Sequence, residues 1–110
     1  MDAKTVYLAG RITGDPYYKK KFLVAETLLS QAGYAVVSPA HLPQAGLEYE
    51  AYMRIGAAML AECSAICLLP DWIHSQGAMR ECIEAKARGK EIILFSDLYP
   101  QDDIITKQEA

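Results

Sequence analysis

Strand-like and helical segments alternate along almost the whole chain, which predicts an α/β fold on a mainly parallel sheet of four or five strands. Three observations carry this expectation. Short runs rich in β-branched and apolar residues recur at Thr5–Ala9, Tyr34–Ser38, Ser64–Leu69 and Glu91–Phe95. Between them, apolar residues repeat every three or four positions, the period of an amphipathic helix. The third run, Ser64-Ala65-Ile66-Cys67-Leu68-Leu69, is apolar almost throughout, as expected of a strand covered by helices on both faces. With right-handed crossovers, the order β-α-β-α-β-α-β gives a three-layer sandwich of the Rossmann or flavodoxin-like kind.

The first strand stops at Gly10-Arg11-Ile12-Thr13-Gly14-Asp15-Pro16, where glycines punctuate a loop, Asp15 offers a cap and Pro16 suits a first helical turn. The helix that follows should run to Gln31, with Phe22, Ala25, Leu28, Leu29 and Ala32 on its apolar face and Gly33 as its stop. After the second strand, Pro39, Pro43 and Gly46 break the chain into a loop. A second helix is expected over Glu48–Glu62, with Tyr52, Ile55, Met59 and Leu60 inward. Pro70 ends the third strand, and Asp71-Trp72-Ile73-His74-Ser75-Gln76-Gly77 forms a polar loop with one large aromatic. The third helix should span Gly77–Arg88, with Met79, Cys82 and Ile83 as its apolar stripe and Gly89 closing it. The expected domain is residues 1–96. Residues 97–110 show no clear period and are read as a C-terminal tail: a short helix, a partner-binding segment or disorder.

A chain of 110 residues accommodates one such domain. Its 52% hydrophobic and 23% charged residues give a globular profile. A net charge of -3 argues against a binder of polymeric nucleic acid, which normally presents a basic face, yet leaves room for a single nucleotide. The three cysteines, Cys63, Cys67 and Cys82, are read as reduced, buried thiols rather than a metal site, because they lack the paired spacing zinc requires. Met1-Asp2-Ala3-Lys4 leads straight into the first strand, without a signal peptide, and no apolar stretch approaches the ~20 residues that span a bilayer. The expected location is the cytoplasm, with no membrane association.

In an open parallel sheet, ligands bind beyond the carboxyl ends of the strands, where the strand order reverses. Three loops leave those ends: 10–15, 39–47 and 70–77. In the first, Gly10 and Gly14 let backbone approach a ligand, but the pattern is neither the dinucleotide fingerprint nor a P-loop and is equally that of an ordinary turn. The third leads into Ser75-Gln76-Gly77-Ala78-Met79-Arg80-Glu81, which puts a hydroxyl, a glycine and a carboxylate within two helical turns. Glu81 lies beside the apolar stripe, and the helix dipole is expected to favour its ionised, nucleophilic form. The plain alternative is a surface charge.

Three blocks together resemble the nucleoside 2-deoxyribosyltransferase-like superfamily, including its small phage and bacterial branch. They are Val6-Tyr7-Leu8-Ala9-Gly10-Arg11-Ile12-Thr13-Gly14, Cys63-Ser64-Ala65-Ile66-Cys67-Leu68-Leu69-Pro70-Asp71-Trp72, and Ser75-Gln76-Gly77-Ala78-Met79-Arg80-Glu81. The resemblance covers about residues 4–96. It implies cleavage or transfer of the N-glycosidic bond of a nucleoside or its 5′-monophosphate. Glu81 falls on the nucleophile, and Tyr7, at the end of the first strand, on the residue that positions it. Ser75 and Gly77 fall where the 5′ end or phosphate binds. Gly10, Ile12 and Gly14 fall on the loop around base and sugar. Trp72 would stand at the rim, where an indole can stack on a base.

One position departs from the pattern. Gly56 stands where the family usually carries an aspartate that orients the sugar or assists proton transfer to the base, which puts turnover in doubt more than binding. Asp71 is the candidate to compensate. A glycine in mid-helix costs about 1 kcal/mol against alanine, so close packing or a ligand is expected at Gly56. The implied chemistry is that of a retaining glycosidase, with no metal and no organic cofactor. His41 and His74 are candidate proton donors, or simply exposed loop histidines. The alternatives are a nucleotide-binding module without catalysis and an interaction protein that keeps only the fold. A homodimer or higher oligomer is expected, with Tyr17, Tyr18, Tyr49 and Tyr52 as aromatic surface.

Overall fold

The computed structural model describes residues 3–43 and 45–100. The elements are β1 (Thr5–Ala9), α1 (Tyr18–Gln31), β2 (Ala35–Val37), α2 (Tyr49–Ala61), β3 (Ala65–Leu68), α3 (Gln76–Ala87), β4 (Glu91–Leu94) and α4 (Phe95–Leu98). Short 3-10 turns at Pro39–His41 and Trp72–His74 shape the loops after β2 and β3. The four strands are all parallel and lie in the order β2-β1-β3-β4. From β1 the chain moves to β2 on one side, then crosses back over β1 to reach β3 on the other. The order therefore reverses between β1 and β3, and the crevice beyond their carboxyl ends is the place such a sheet offers a ligand.

The two-residue alternation along each strand divides the core into two layers. Val6, Leu8, Ala65 and Cys67 face α1, which answers with Tyr18, Phe22, Ala25 and Leu29. Tyr7, Ala9, Ile66 and Leu68 face the opposite way, toward Leu60 at the end of α2 and Ala78, Cys82 and Ala85 of α3. β3 is buried at every position, which accounts for its apolar run. All three cysteines are buried and free, and burial pushes the Cys67 thiol up to about 12. Among the described residues, no helix is long and apolar enough to cross a membrane.

Several boundaries and faces differ from those the sequence predicts. α1 begins at Tyr18, because Asp15 closes the preceding turn: its Oδ1 accepts from the Tyr17 N–H at 2.9 Å, and its carbonyl accepts from the Tyr18 N–H at 3.3 Å. Leu28 is only partly buried and Ala32 is exposed. In α2 the buried residues are Gly56 and Leu60, while Tyr52, Ile55 and Met59 are partly covered.

The apolar stripe of α3 is also turned from its expected place. Ala78, Cys82 and Ala85 are buried, whereas Met79 and Ile83 face outward, with Ile83 68% exposed. Small residues at the inner positions let α3 approach the sheet closely, and the rotation brings Glu81 inward beside them. Tyr18 is buried and Tyr52 half-buried, so of the four tyrosines expected at the surface only Tyr17 and Tyr49 are exposed.

Phe95 opens α4 rather than ending β4, and it is buried against Tyr99 at a ring-centroid distance of 5.0 Å. The Tyr99 hydroxyl donates to the Leu28 carbonyl at 3.0 Å. Of the expected tail, Tyr99 is thus packed on the α1 side of the sheet while Asp97, Leu98 and Pro100 are exposed, and residues 101–110 lie outside the described part of the chain.

Candidate active site

A cavity of about 630 Å³ opens at the carboxyl ends of β1 and β3. Its floor is a tyrosine–glutamate pair. Tyr7 sits in the middle of β1, not at its end, and its side chain crosses the layer toward α2 and α3. There its hydroxyl donates to Glu81 Oε2 at 2.5 Å. The tyrosine is fully buried, and both burial and the neighbouring carboxylate push its pKa far up. It therefore remains a neutral hydrogen-bond donor at any physiological pH.

Glu81 is partly buried, and desolvation raises its pKa to about 7, against smaller opposing effects of the Tyr7 hydrogen bond and the Arg80 charge. This reverses the expectation that the helix dipole would hold it ionised. The dipole acts within the first turn. Glu81 is the sixth residue of α3 and lies past that turn, so the missing water dominates.

Gly56 is the reason this pair fits. A Cβ at Gly56 would lie 2.7 Å from Glu81 Oε2 and 2.9 Å from the Tyr7 hydroxyl. The α2 backbone passes directly over the pair, and only hydrogen leaves the room. The expectation of close packing at this mid-helix glycine is met by the polar pair itself.

A Tyr7→Phe substitution removes the donor that lowers the Glu81 pKa. The titration midpoint of Glu81, read by carboxyl NMR, should therefore move above the wild-type value of about 7. An unchanged midpoint would mean that the hydrogen bond carries no electrostatic weight.

The remaining residues implicated by the sequence divide into two groups. Gly10, Ile12, Ser75 and Gly77 line the cavity together with Tyr7 and Glu81. Ser75 also caps α3, its Oγ accepting from the Ala78 N–H at 3.1 Å. Gly14, Asp71 and Trp72 do not line it. Gly14 takes a positive φ of 82° in the loop behind. Trp72 packs against the core layer under α2 and α3.

Asp71 is part of the loop scaffold. Its Oδ1 accepts from the Arg11 N–H at 3.1 Å, and its Oδ2 accepts from the Lys21 ammonium. Lys21 also donates to Asp15 Oδ2 at 2.6 Å and to the Arg11 carbonyl at 2.8 Å. This knot ties the loops after β1 and β3 together. Gly10 lets them meet, since a Cβ there would lie 2.9 Å from Leu69 Cδ1 and 3.2 Å from Asp71 Oδ1. Asp71 is thereby occupied and does not stand in for a carboxylate at Gly56. Of the two histidines, His74 lines the cavity from an exposed position, while His41 pairs with Glu26 at 2.8 Å and does not line it.

Sequence reasoning missed the wall that α2 supplies. Tyr49, Tyr52 and Met53 line the cavity, and Arg11, Thr13 and Leu47 complete its mouth. The three α2 residues share one helical face, a spacing indistinguishable in sequence from a core or interface stripe. Among the described residues, no group of three histidine, cysteine, aspartate or glutamate side chains is placed to hold a metal ion.

Residues 4–94 match the family described as Domain of unknown function (DUF4406). The chain belongs to that family. No curated protein matches the sequence. Among solved structures, this DUF4406 chain is similar to a 2-desoxiribosyltransferase from Leishmania mexicana, with a TM-score of 0.66 and 19% identity, over 83% of this chain and 63% of that one. The DUF4406 chain thus spans less than two thirds of the length of that protein. At this identity the likeness is one of fold, and at that level the resemblance drawn from the three sequence blocks holds.

Proposed function

We propose that this DUF4406 protein cleaves or transfers the N-glycosidic bond of a nucleoside or nucleoside 5′-monophosphate, with Glu81 as nucleophile. One observation carries the reading: the Tyr7–Glu81 pair lies on the floor of a cavity at the switch point of the sheet. A volume of about 630 Å³ falls in the range of small-molecule sites and suits one nucleoside. The solved 2-desoxiribosyltransferase of the same fold supports a nucleoside as substrate.

In this reading Tyr7 holds one carboxylate oxygen of Glu81 and leaves the other to attack C1′ of the sugar. The base departs, and water or a second base resolves the glycosyl-enzyme. Water gives hydrolysis; a base gives transfer. Ser75 and Gly77, with the first-turn N–H groups of α3, form the end of the cavity suited to a 5′-hydroxyl or phosphate. Ile12 and Gly10 border the sugar and base.

The test is release of free base from a panel of nucleosides and 5′-monophosphates, followed by chromatography. Release by the wild-type protein and none by Glu81→Ala is the expected result. Thermal stabilisation by a nucleotide without release would instead identify a binding module, and no stabilisation by any nucleotide an interaction protein.

A further inference from the structure

The cavity is lined by one cation, Arg11, and one carboxylate, Glu81, and no ion pair joins them among the described residues. Among the described residues, Glu81 is the sole carboxylate lining the cavity and has no ion-pair partner. The neighbouring Arg80 is drawn away by Glu50, to which it donates from both terminal nitrogens at 3.1 and 3.3 Å. Arg11, at the mouth, donates to the carbonyls of Thr13 at 3.3 Å and Gly14 at 3.5 Å. Glu81 is thus a desolvated carboxylate whose one hydrogen-bond partner is a phenol, and burial raises its pKa against the weaker pull of the more distant Arg80 charge. The facing wall is aromatic and polarisable: Tyr52 and Met53 from α2, with Tyr49 beyond them, whose ring already holds the Arg80 guanidinium 5.7 Å from its centroid. Such a wall attracts a cation as well as an apolar ring.

Acid assistance to a departing base is poorly provided for. The α2 backbone at Gly56 closes the position over the pair, where a Cβ would already clash. Asp15 and Asp71 are both held by Lys21, and Glu50 is held by Arg80. Among the described residues, the acids other than Glu81 that line the cavity are His74, at the exposed rim, and phenols, which are weak acids near neutrality.

We propose that the cavity acts on N-glycosides whose base carries a fixed positive charge, an N-ribosylpyridinium or an N7-alkylpurine nucleoside. This rests on the N-glycosidase reading and names its substrate class. The cation supplies the charge that Glu81 lacks, and its base needs no proton to leave. Glu81 forms a C–O bond to C1′, the C1′–N bond breaks, and its electron pair neutralises the ring nitrogen. Water then adds to C1′, the Glu81 carboxylate is released, and the water's proton goes to solvent.

The test uses the full chain and matched pairs that differ in charge: 7-methylguanosine against guanosine, and nicotinamide riboside against its neutral dihydro form. The expected result is a kcat/KM about 100-fold or more higher for the cationic member, the scale of the missing general acid. Equilibrium binding to Glu81→Gln adds a second measurement: affinity for nicotinamide riboside should fall about 10-fold or more while that for the dihydro form is retained. Equal cleavage of both members would overturn the charge preference and leave the N-glycosidase reading standing. Release from none of the four compounds, nor from the wider nucleotide panel, would remove the N-glycosidase reading and this inference with it.

Discussion

A Glu81→Gln protein should lose base release by about 10⁴-fold or more and should, at the same time, be more stable than wild type at pH 8. The first effect is that of removing a nucleophile whose loss nothing nearby replaces. The second follows from linkage. Glu81 has a folded-state pKa of about 7 against an ordinary value of 4.5, because burial disfavours its charge. The folded protein binds this proton more tightly than the unfolded chain. Its contribution to stability is therefore fully present below pH ~4.5 and is lost as pH rises through about 7. By pH 8 the buried charge costs roughly 2–3 kcal/mol, after allowance for its partial contact with solvent. Glutamine keeps an oxygen that accepts from Tyr7 and carries no charge, so it avoids that loss.

Urea unfolding at pH 8 and pH 4.5 measures this directly. The variant should gain stability at the higher pH and be close to wild type at the lower one. A variant less stable than wild type at pH 8 would show that the carboxylate is not held against its solvation. The same ionisation governs activity in wild type: kcat/KM for a neutral substrate should rise with pH through about 7 as the nucleophile ionises. A stability cost and a catalytic gain thus sit on one side chain, the usual trade at a reactive site.

Gly56→Ala should lower activity about 100-fold with much less effect on stability. The added methyl would lie 2.7 Å from Glu81 Oε2 and 2.9 Å from the Tyr7 hydroxyl, so one or both must move by a large fraction of an ångström. Displacement of that size at a reacting group is worth about 10²-fold in rate. On stability, crowding costs about 1–3 kcal/mol and the better helix propensity of alanine returns about 1 kcal/mol. Adding Tyr7→Phe removes one of the two clashing atoms. In a double-mutant cycle the pair should therefore be more stable than the sum of the single changes predicts. Strict additivity would mean that Gly56 and Tyr7 are not in contact, and full activity of Gly56→Ala would deny the glycine its spacing role.

The two positions show what local pattern can and cannot convey. Element type was plain because strand alternation and helical period leave different marks, and the apolar run 64–69 announced a strand buried on both faces. Boundaries shifted by a residue or two where side chains decided the ends, as Asp15 does at the start of α1. The sequence places the apolar face of α3 on Met79 and Ile83, because these outweigh Ala78 and Ala85 on any hydrophobicity scale. The helix nevertheless packs by its small residues, since only they allow close approach to the sheet. The α2 wall was invisible for a related reason: Tyr49, Tyr52 and Met53 would read the same against a core, a partner or a cavity.

The order of strands and helices, the parallel sheet and the loops that carry the site follow from the one-dimensional pattern of the chain, because hydrophobic period and turn chemistry are local properties. The state of Glu81, the occupation of Asp71 by Lys21 and the reason for Gly56 do not. Each depends on atoms from segments far apart in sequence meeting within about 3 Å, and on the water that meeting excludes. Only the folded molecule brings them together.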